Sequence, residues 1–175
     1  MKFRDIPQFT REGSYQVNMP WNFLKKWLKE ETEEMNMQLN PVFQRGHVWT
    51  EAQQIAYVEF ALRGGRSGRI VYFNCPGWPS GRSSGYNEYV CVDGLQRITA
   101  ILRFLDNEIP AFGTYYKDFE DKIPIDLDLI VNVNNLDTEK EVLQWYVDLN
   151  SCGTQHTDEE IRRVKDMIEK LEDLQ

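Results

Sequence analysis

Two Gln-Arg dipeptides, Gln44-Arg45 and Gln96-Arg97, are the residues of this chain best suited to chemistry. An arginine fork matches a phosphate or carboxylate with two parallel hydrogen bonds. The second dipeptide sits in Tyr89-Val90-Cys91-Val92-Asp93-Gly94-Leu95-Gln96-Arg97-Ile98-Thr99, a β-branched run that breaks at Asp-Gly. Apolar residues then recur at Leu95, Ile98, Ile101, Leu102 and Leu105, one face of a helix. The stretch reads as strand, tight turn, helix. Asp93 stands where a helix cap would sit, and Gly94 has no Cβ, so an anion can approach the free N–H groups of the first turn. Gln96 and Arg97 project from that turn. Asp93 has three chemical readings beside that of a plain cap: a magnesium ligand, a group that orients water, or an ion-pair partner that fixes Arg97.

The first dipeptide lies in Phe43-Gln44-Arg45-Gly46-His47-Val48-Trp49, just ahead of a second helix start. If the fold brings the two together, both guanidinium groups converge on one helix N-terminus. Such a site would bind a polyphosphate and stabilise the charge that develops during phosphoryl transfer. Trp49 reads as a core anchor rather than a base-stacking platform. The charge distribution agrees with an oxyanion site. Between Asn40 and Phe104 the chain has seven arginines, four carboxylates and no lysine, although nine lysines occur elsewhere and the whole chain carries a formal charge of −8. The alternative is a solvated arginine-rich face.

Other chemistries fit less well. Gly64-Gly65-Arg66-Ser67-Gly68-Arg69 lacks the Lys-Ser/Thr ending of a P-loop and precedes a strand. His47 and His156 are far apart, and no cysteine pair has zinc-ligand spacing. Cys152 and His156 could form a nucleophile and base, but such a pair in a turn is usually incidental. Cys75, Cys91 and Cys152 read as reduced packing thiols.

The elements that must position these residues follow from pattern. A strand is expected over Ser14–Asn18, then a helix from Pro20 to about Asn36 with Trp21, Leu24, Leu28 and Met35 as its apolar face. Met37–Leu39 reads as a brief strand. Thr50 and Gln53 form a capping box for a helix over 51–62, with Ile55, Val58, Phe60 and Leu62 available for packing, and Gly64-Gly65 stops it. Strands are expected at Arg69–Phe73, Tyr89–Val92 and Asp128–Val133, and helices over 95–107 and 138–150. The Gly/Ser/Pro-rich loop 74–85, with Trp78 and Arg82, reads as a variable hairpin loop or a flap. Thr157 and Glu160 make a second capping box for a charged terminal helix over 157–175, which either packs on the domain or leads to something larger. The order of elements predicts an α+β fold with a small mixed sheet, one domain over 1–175 with its core at about 14–156.

The residues Phe43-Gln44-Arg45, Val48-Trp49 and Val92-Asp93-Gly94-Leu95-Gln96-Arg97-Ile98-Thr99, in that order, resemble the DUF262 family of the ParB/sulfiredoxin-like superfamily. Leu149-Asn150-Ser151-Cys152-Gly153-Thr154 is similar to that family's downstream Asn-x-x-Gly segment, so the resemblance spans about Gln38 to Arg163. It implies a compact α+β domain whose Asp-Gly-Gln-Gln-Arg motif supports nucleotide binding and hydrolysis in phage-defence proteins. Carried over, Asp93, Gln96 and Arg97 become catalytic candidates, Gln44, Arg45, Gly94 and Thr99 ligand-binding ones, and Asp93 the magnesium ligand. Leu95 replaces the family's first glutamine, and a leucine there predicts burial.

The resemblance thus implies a nucleotide-binding phosphohydrolase with a nucleoside triphosphate as substrate or ligand; such domains are typically joined to a nuclease domain, and because the sequence shows no metal-nuclease cluster a stand-alone version is expected. The alternatives are a non-catalytic module that senses nucleotide or DNA for a protein partner, and a nucleotide-dependent phosphotransferase. No apolar run reaches the length of a membrane span and the first residues lack a signal-peptide core, so a cytoplasmic protein with no membrane partner is expected. Oligomeric state is not legible.

Overall fold

A computed structural model describes residues 1–6, 15–44, 46, 48–76, 86, 88–151 and 158–172. Four strands, β1 (Tyr15–Pro20), β2 (Ile70–Asn74), β3 (Val90–Asp93) and β4 (Asp128–Asn134), form one sheet in the order β1-β4-β2-β3. The β4–β2 pair is parallel and the two outer pairs are antiparallel, so the sheet is mixed. Five α-helices complete an α+β fold: α1 (Trp21–Met35), α2 (Glu51–Leu62), α3 (Leu95–Leu105), α4 (Glu139–Ser151) and α5 (Asp158–Glu172). The expected segment 37–39 contributes a single parallel bridge, Gln38 to Val90, beside β3.

Period-two alternation in the strands divides the core in two. Val71 and Phe73 of β2, Cys91 of β3 and Leu129, Val131 and Val133 of β4 pack with α1, α2 and α3. Val90 and Val92 face the other way and pack with α4, α5 and Phe43. The terminal helix therefore packs on the domain, burying Val164 and Ile168. The Thr157 cap expected for it lies outside the described residues, as do Ser14 and most of the loop after β2, including Trp78 and Arg82.

Local signals place the helices. Thr50 Oγ1 accepts from Gln53 N and Thr50 N donates to Gln53 Oε1, the reciprocal capping box. Helix α1 ends at Asn36 in the left-handed conformation, a position asparagine tolerates better than most residues. Two packing expectations fail: Met35 is exposed at the end of α1, whose buried face is Trp21, Leu24 and Leu28, and α2 buries Gln54, Val58 and Ala61 while Phe60 is exposed. The Phe60 ring lies over the helix C-terminus, where a Cβ on Gly65 would strike it.

Two of the mid-chain arginines are structural. Arg69 donates through Nε to the Asp128 carbonyl at 2.8 Å and pairs with the Asp128 carboxylate, fastening β2 to the start of β4. Arg103 on α3 meets Glu51 at 3.1 Å, Gln54 at 2.8 Å and Glu108 at 2.9 Å, joining α3 to α2. The lysine-free, arginine-rich middle is thus partly a set of inter-element fasteners.

Candidate functional site

Strand β3 passes into α3 through the single residue Gly94. Its φ of 129° is open to glycine and strained for other residues. Space is a second constraint, because a Cβ there would lie 2.4 Å from Val71 Cγ1. The turn is tight because α3 must fold straight back onto the sheet face that carries Val71. The helix cap is Gly94 and not Asp93, and no side chain caps this end. The first intrahelical bond runs from Ile98 N to Gly94 O at 2.9 Å, so the N–H groups of Leu95, Gln96 and Arg97 precede it.

The Asp93 carboxylate is turned along the helix to Arg97, with Oδ2 2.5 Å from Nη2. Of the three chemical readings of Asp93, the ion pair is the one that this geometry displays. A register shift between the Tyr72 and Phe73 pairings sets Asp93 opposite Tyr72 with Val92 as the extra residue, a bulge at the edge of the site. The Arg97 side chain is mostly buried at 17% exposure and Asp93 is more open at 37%. Arg97 Nη1 also reaches the Gly68 carbonyl, at 3.5 Å, which leaves the rest of the guanidinium fork uncommitted. Leu95 is buried, as its apolar character predicts. Thr99 donates its hydroxyl to the Leu95 carbonyl one turn back, at 2.8 Å.

The first Gln-Arg segment is brought to this turn by hydrogen bonds. Gln44 Nε2 donates to the Cys91 carbonyl at 2.6 Å. Gln96 does more: its Oε1 accepts from both Val48 N and Trp49 N at 3.0 Å, and its Nε2 donates to the Gly46 carbonyl at 2.7 Å. The amide of Gln96 is therefore a clasp that holds loop 46–49 on α3. Gln44 and Gly46 are both anchored at the site, while Arg45 between them, like His47, lies outside the described residues. Replacing Gln96 by leucine leaves two N–H groups and a carbonyl unpaired, at a cost of about 2–3 kcal/mol. Hydrogen exchange at the Val48 and Trp49 amides is then expected to accelerate; unchanged exchange would remove the clasp assignment.

These residues open on a cavity of about 290 Å³. Its floor is the Asp93–Arg97 turn. One wall is aromatic: Trp49 and Tyr57 meet edge to face with ring centroids 5.5 Å apart. Trp49 is half-buried, packing against the core while lining the cavity. Tyr57 donates to the Gly68 carbonyl at 3.1 Å, and burial raises its pKa to about 12 against the opposing field of Arg97 and Arg69. The folded protein thus holds the phenolic proton more tightly than the unfolded chain. The stability it contributes is complete below pH 10 and is lost as pH rises through about 12. An absorbance titration of the protein against Tyr57→Phe is expected to show one phenol ionising near pH 12.

The facing wall is Tyr146, Leu149 and Asn150 of α4. Asn150 falls in the segment likened to Asn-x-x-Gly; the rest of that segment from Cys152 on, and the Cys152–His156 pair, lie outside the described residues. No local signal joins Tyr146 to the turn, because contact across the sheet is a property of the fold. Below the site, burial raises the Cys91 thiol pKa, which suits a packing residue and not a nucleophile. Among the described residues no group of three or more His, Cys, Asp or Glu side chains could hold a metal by itself. Asp93 is the only carboxylate among the described cavity-lining residues. That donor set fits magnesium only as the companion of a bound phosphate, since the ion takes one or two carboxylates and fills its shell with phosphate oxygens and water.

Fold and site define an α+β domain whose pocket is built on a strand–glycine–helix turn with an Asp–Arg pair. The chain belongs to the family of GmrSD restriction endonuclease N-terminal domains, whose model matches residues 24–129, more than half of its length. This is the DUF262-type domain that the paired motifs resemble, and it sets the chain in the context of restriction systems. No curated protein matches the chain. The matched span includes Gln44, Asp93, Gly94, Gln96, Arg97 and Thr99 but not the α4 wall. No helix among the described residues is long and apolar enough to cross a membrane.

Proposed function

We propose that the cavity binds a nucleoside triphosphate and promotes its hydrolysis, in keeping with a role in phage defence. The observation that carries this reading is the uncapped N-terminus of α3 with Arg97 in its first turn, both lining one cavity with an aromatic wall. Backbone N–H groups and a guanidinium fork are the donors that phosphate oxygens take, and they are fixed before a ligand arrives. Arg45 is assigned to the phosphates with Arg97, and the described residues on either side of it, Gln44 and Gly46, are anchored beside the turn. Magnesium, when bound with phosphate, would neutralise the repulsion between the ligand and Asp93 and polarise the phosphoryl group. Asp93 would hold that ion or orient water, and Arg97 would pair with the ligand's phosphates.

Phosphate release from each NTP and dNTP in the presence of magnesium tests the reading. Absence of turnover together with absence of calorimetric binding removes it. A second reading, a nucleotide or nucleic-acid sensor acting through a protein partner, is favoured by one feature: Asp93 and Gln96 are already engaged within the protein. It predicts binding without turnover, and steep salt dependence if the ligand is a nucleic acid. Phosphotransfer to an acceptor would appear as labelled acceptor in place of free phosphate.

A further inference from the structure

Asn150 is buried at 9% exposure at the end of α4 and lines the cavity from the side opposite Trp49 and Tyr57. Its Nδ2 donates to the Tyr146 carbonyl one turn earlier, at 2.6 Å. Only the nitrogen of a primary amide can donate to a carbonyl, so this bond fixes which end is which. Among the described residues no hydrogen bond engages the oxygen, and it is not one of the fully enclosed polar atoms that lack a partner, so this uncommitted acceptor keeps some solvent contact in a residue that lines the cavity.

Two further contacts hold this wall rigid. Phe43, directly before the Gln-Arg loop, packs edge to face on Tyr146 with centroids 5.2 Å apart. Arg163 of α5 donates to the Val42 carbonyl at 2.6 Å. The wall therefore keeps its place beside the loop, and Asn150 brings an uncommitted acceptor to the cavity lining. It belongs to a part of the chain that the family match does not reach.

We infer that Asn150 is a specificity residue, whose Oδ1 accepts a hydrogen bond from a hydroxyl or amino group of the nucleoside bound by its phosphates at the Gly94–Arg97 turn. The inference rests on the phosphate reading of that turn. It adds the part of the ligand read at the far wall. The same acceptor serves a ribose hydroxyl or an exocyclic amine, and analogues separate the two.

Calorimetric dissociation constants are to be measured for the full chain with magnesium and ATP, dATP, 3′-deoxy-ATP or purine riboside triphosphate, each analogue lacking one donor. The wild type is expected to bind one of the three analogues about tenfold more weakly than ATP, the value of one net hydrogen bond. That ratio falls towards one in Asn150→Ala and persists in Asn150→Ser, whose hydroxyl can donate to the Tyr146 carbonyl and still accept. Equal affinity of the wild type for all four ligands overturns the inference, as does an unchanged ratio in Asn150→Ala or a lost ratio in Asn150→Ser. Uniform weakening of all four ligands in both variants makes Asn150 structural and overturns it too. In each of these cases the phosphate reading stands, provided that Arg97→Ala abolishes binding. Failure of the wild type to bind any of the triphosphates overturns both.

Discussion

Arg97→Ala is expected to lower phosphate release from the preferred triphosphate by about a hundredfold or more, the loss typical of removing one donor aimed at developing charge. The fold should survive. Arg97 makes one strong bond, to Asp93, and a long one to Gly68 O, and its removal leaves a carboxylate with 37% exposure that water can solvate. Circular dichroism should therefore superimpose on that of the wild type while turnover falls. Arg97→Lys keeps the charge but loses the fork, and should recover only a small part of the rate. Equal release by wild type and Arg97→Ala, with fold intact, would end the assignment of this turn to phosphate chemistry.

Gly94→Ala should damage the same site through the backbone. The new methyl group meets Val71 Cγ1 at 2.4 Å and Cβ at 2.7 Å, and Val71 is fully buried in β2, so neither partner can move aside cheaply. A φ of 129° adds strain that alanine cannot relieve. Strain and overpacking together suggest a loss of about 3–5 kcal/mol. For a domain of this size that corresponds to a melting temperature lower by roughly 6–20 °C. A double-mutant cycle with Val71→Ala isolates the Cγ1 clash, since the smaller residue removes that contact and leaves the Cβ contact and the φ strain. A change in melting temperature of under about 1 °C would show that the turn relaxes freely and that glycine is not required there.

These two positions also show how differently a residue type can be explained by local and by tertiary reasoning. The sequence presents Gly94 as an opening through which an anion approaches the helix end. In the structure its first necessity is contact with Val71, a residue 23 positions earlier that nothing local connects to it. The arginines divide in the same way. Composition singles out a lysine-free, arginine-rich middle but cannot tell Arg97, which lines the cavity, from Arg69 and Arg103, which fasten strands and helices. All three guanidinium groups pair with carboxylates; what separates them is which surface their elements face.

The sequence by itself determined the features whose causes are local. Thr50 and Gln53 start α2 through a reciprocal pair of hydrogen bonds three residues apart, and the spacing Leu95, Ile98, Ile101 defines the face that α3 buries. The strand–glycine–helix turn was likewise written in contiguous residues, and the family in short motifs read in order along the chain. Only the tertiary structure decided that Gln96 spends its amide on loop 46–49, about fifty residues away, and that Asn150 and Tyr146 close the cavity from the far side of the sheet. Those placements come from packing two helical layers on opposite faces of one sheet. That packing joins residues distant in sequence through contacts which no short pattern encodes.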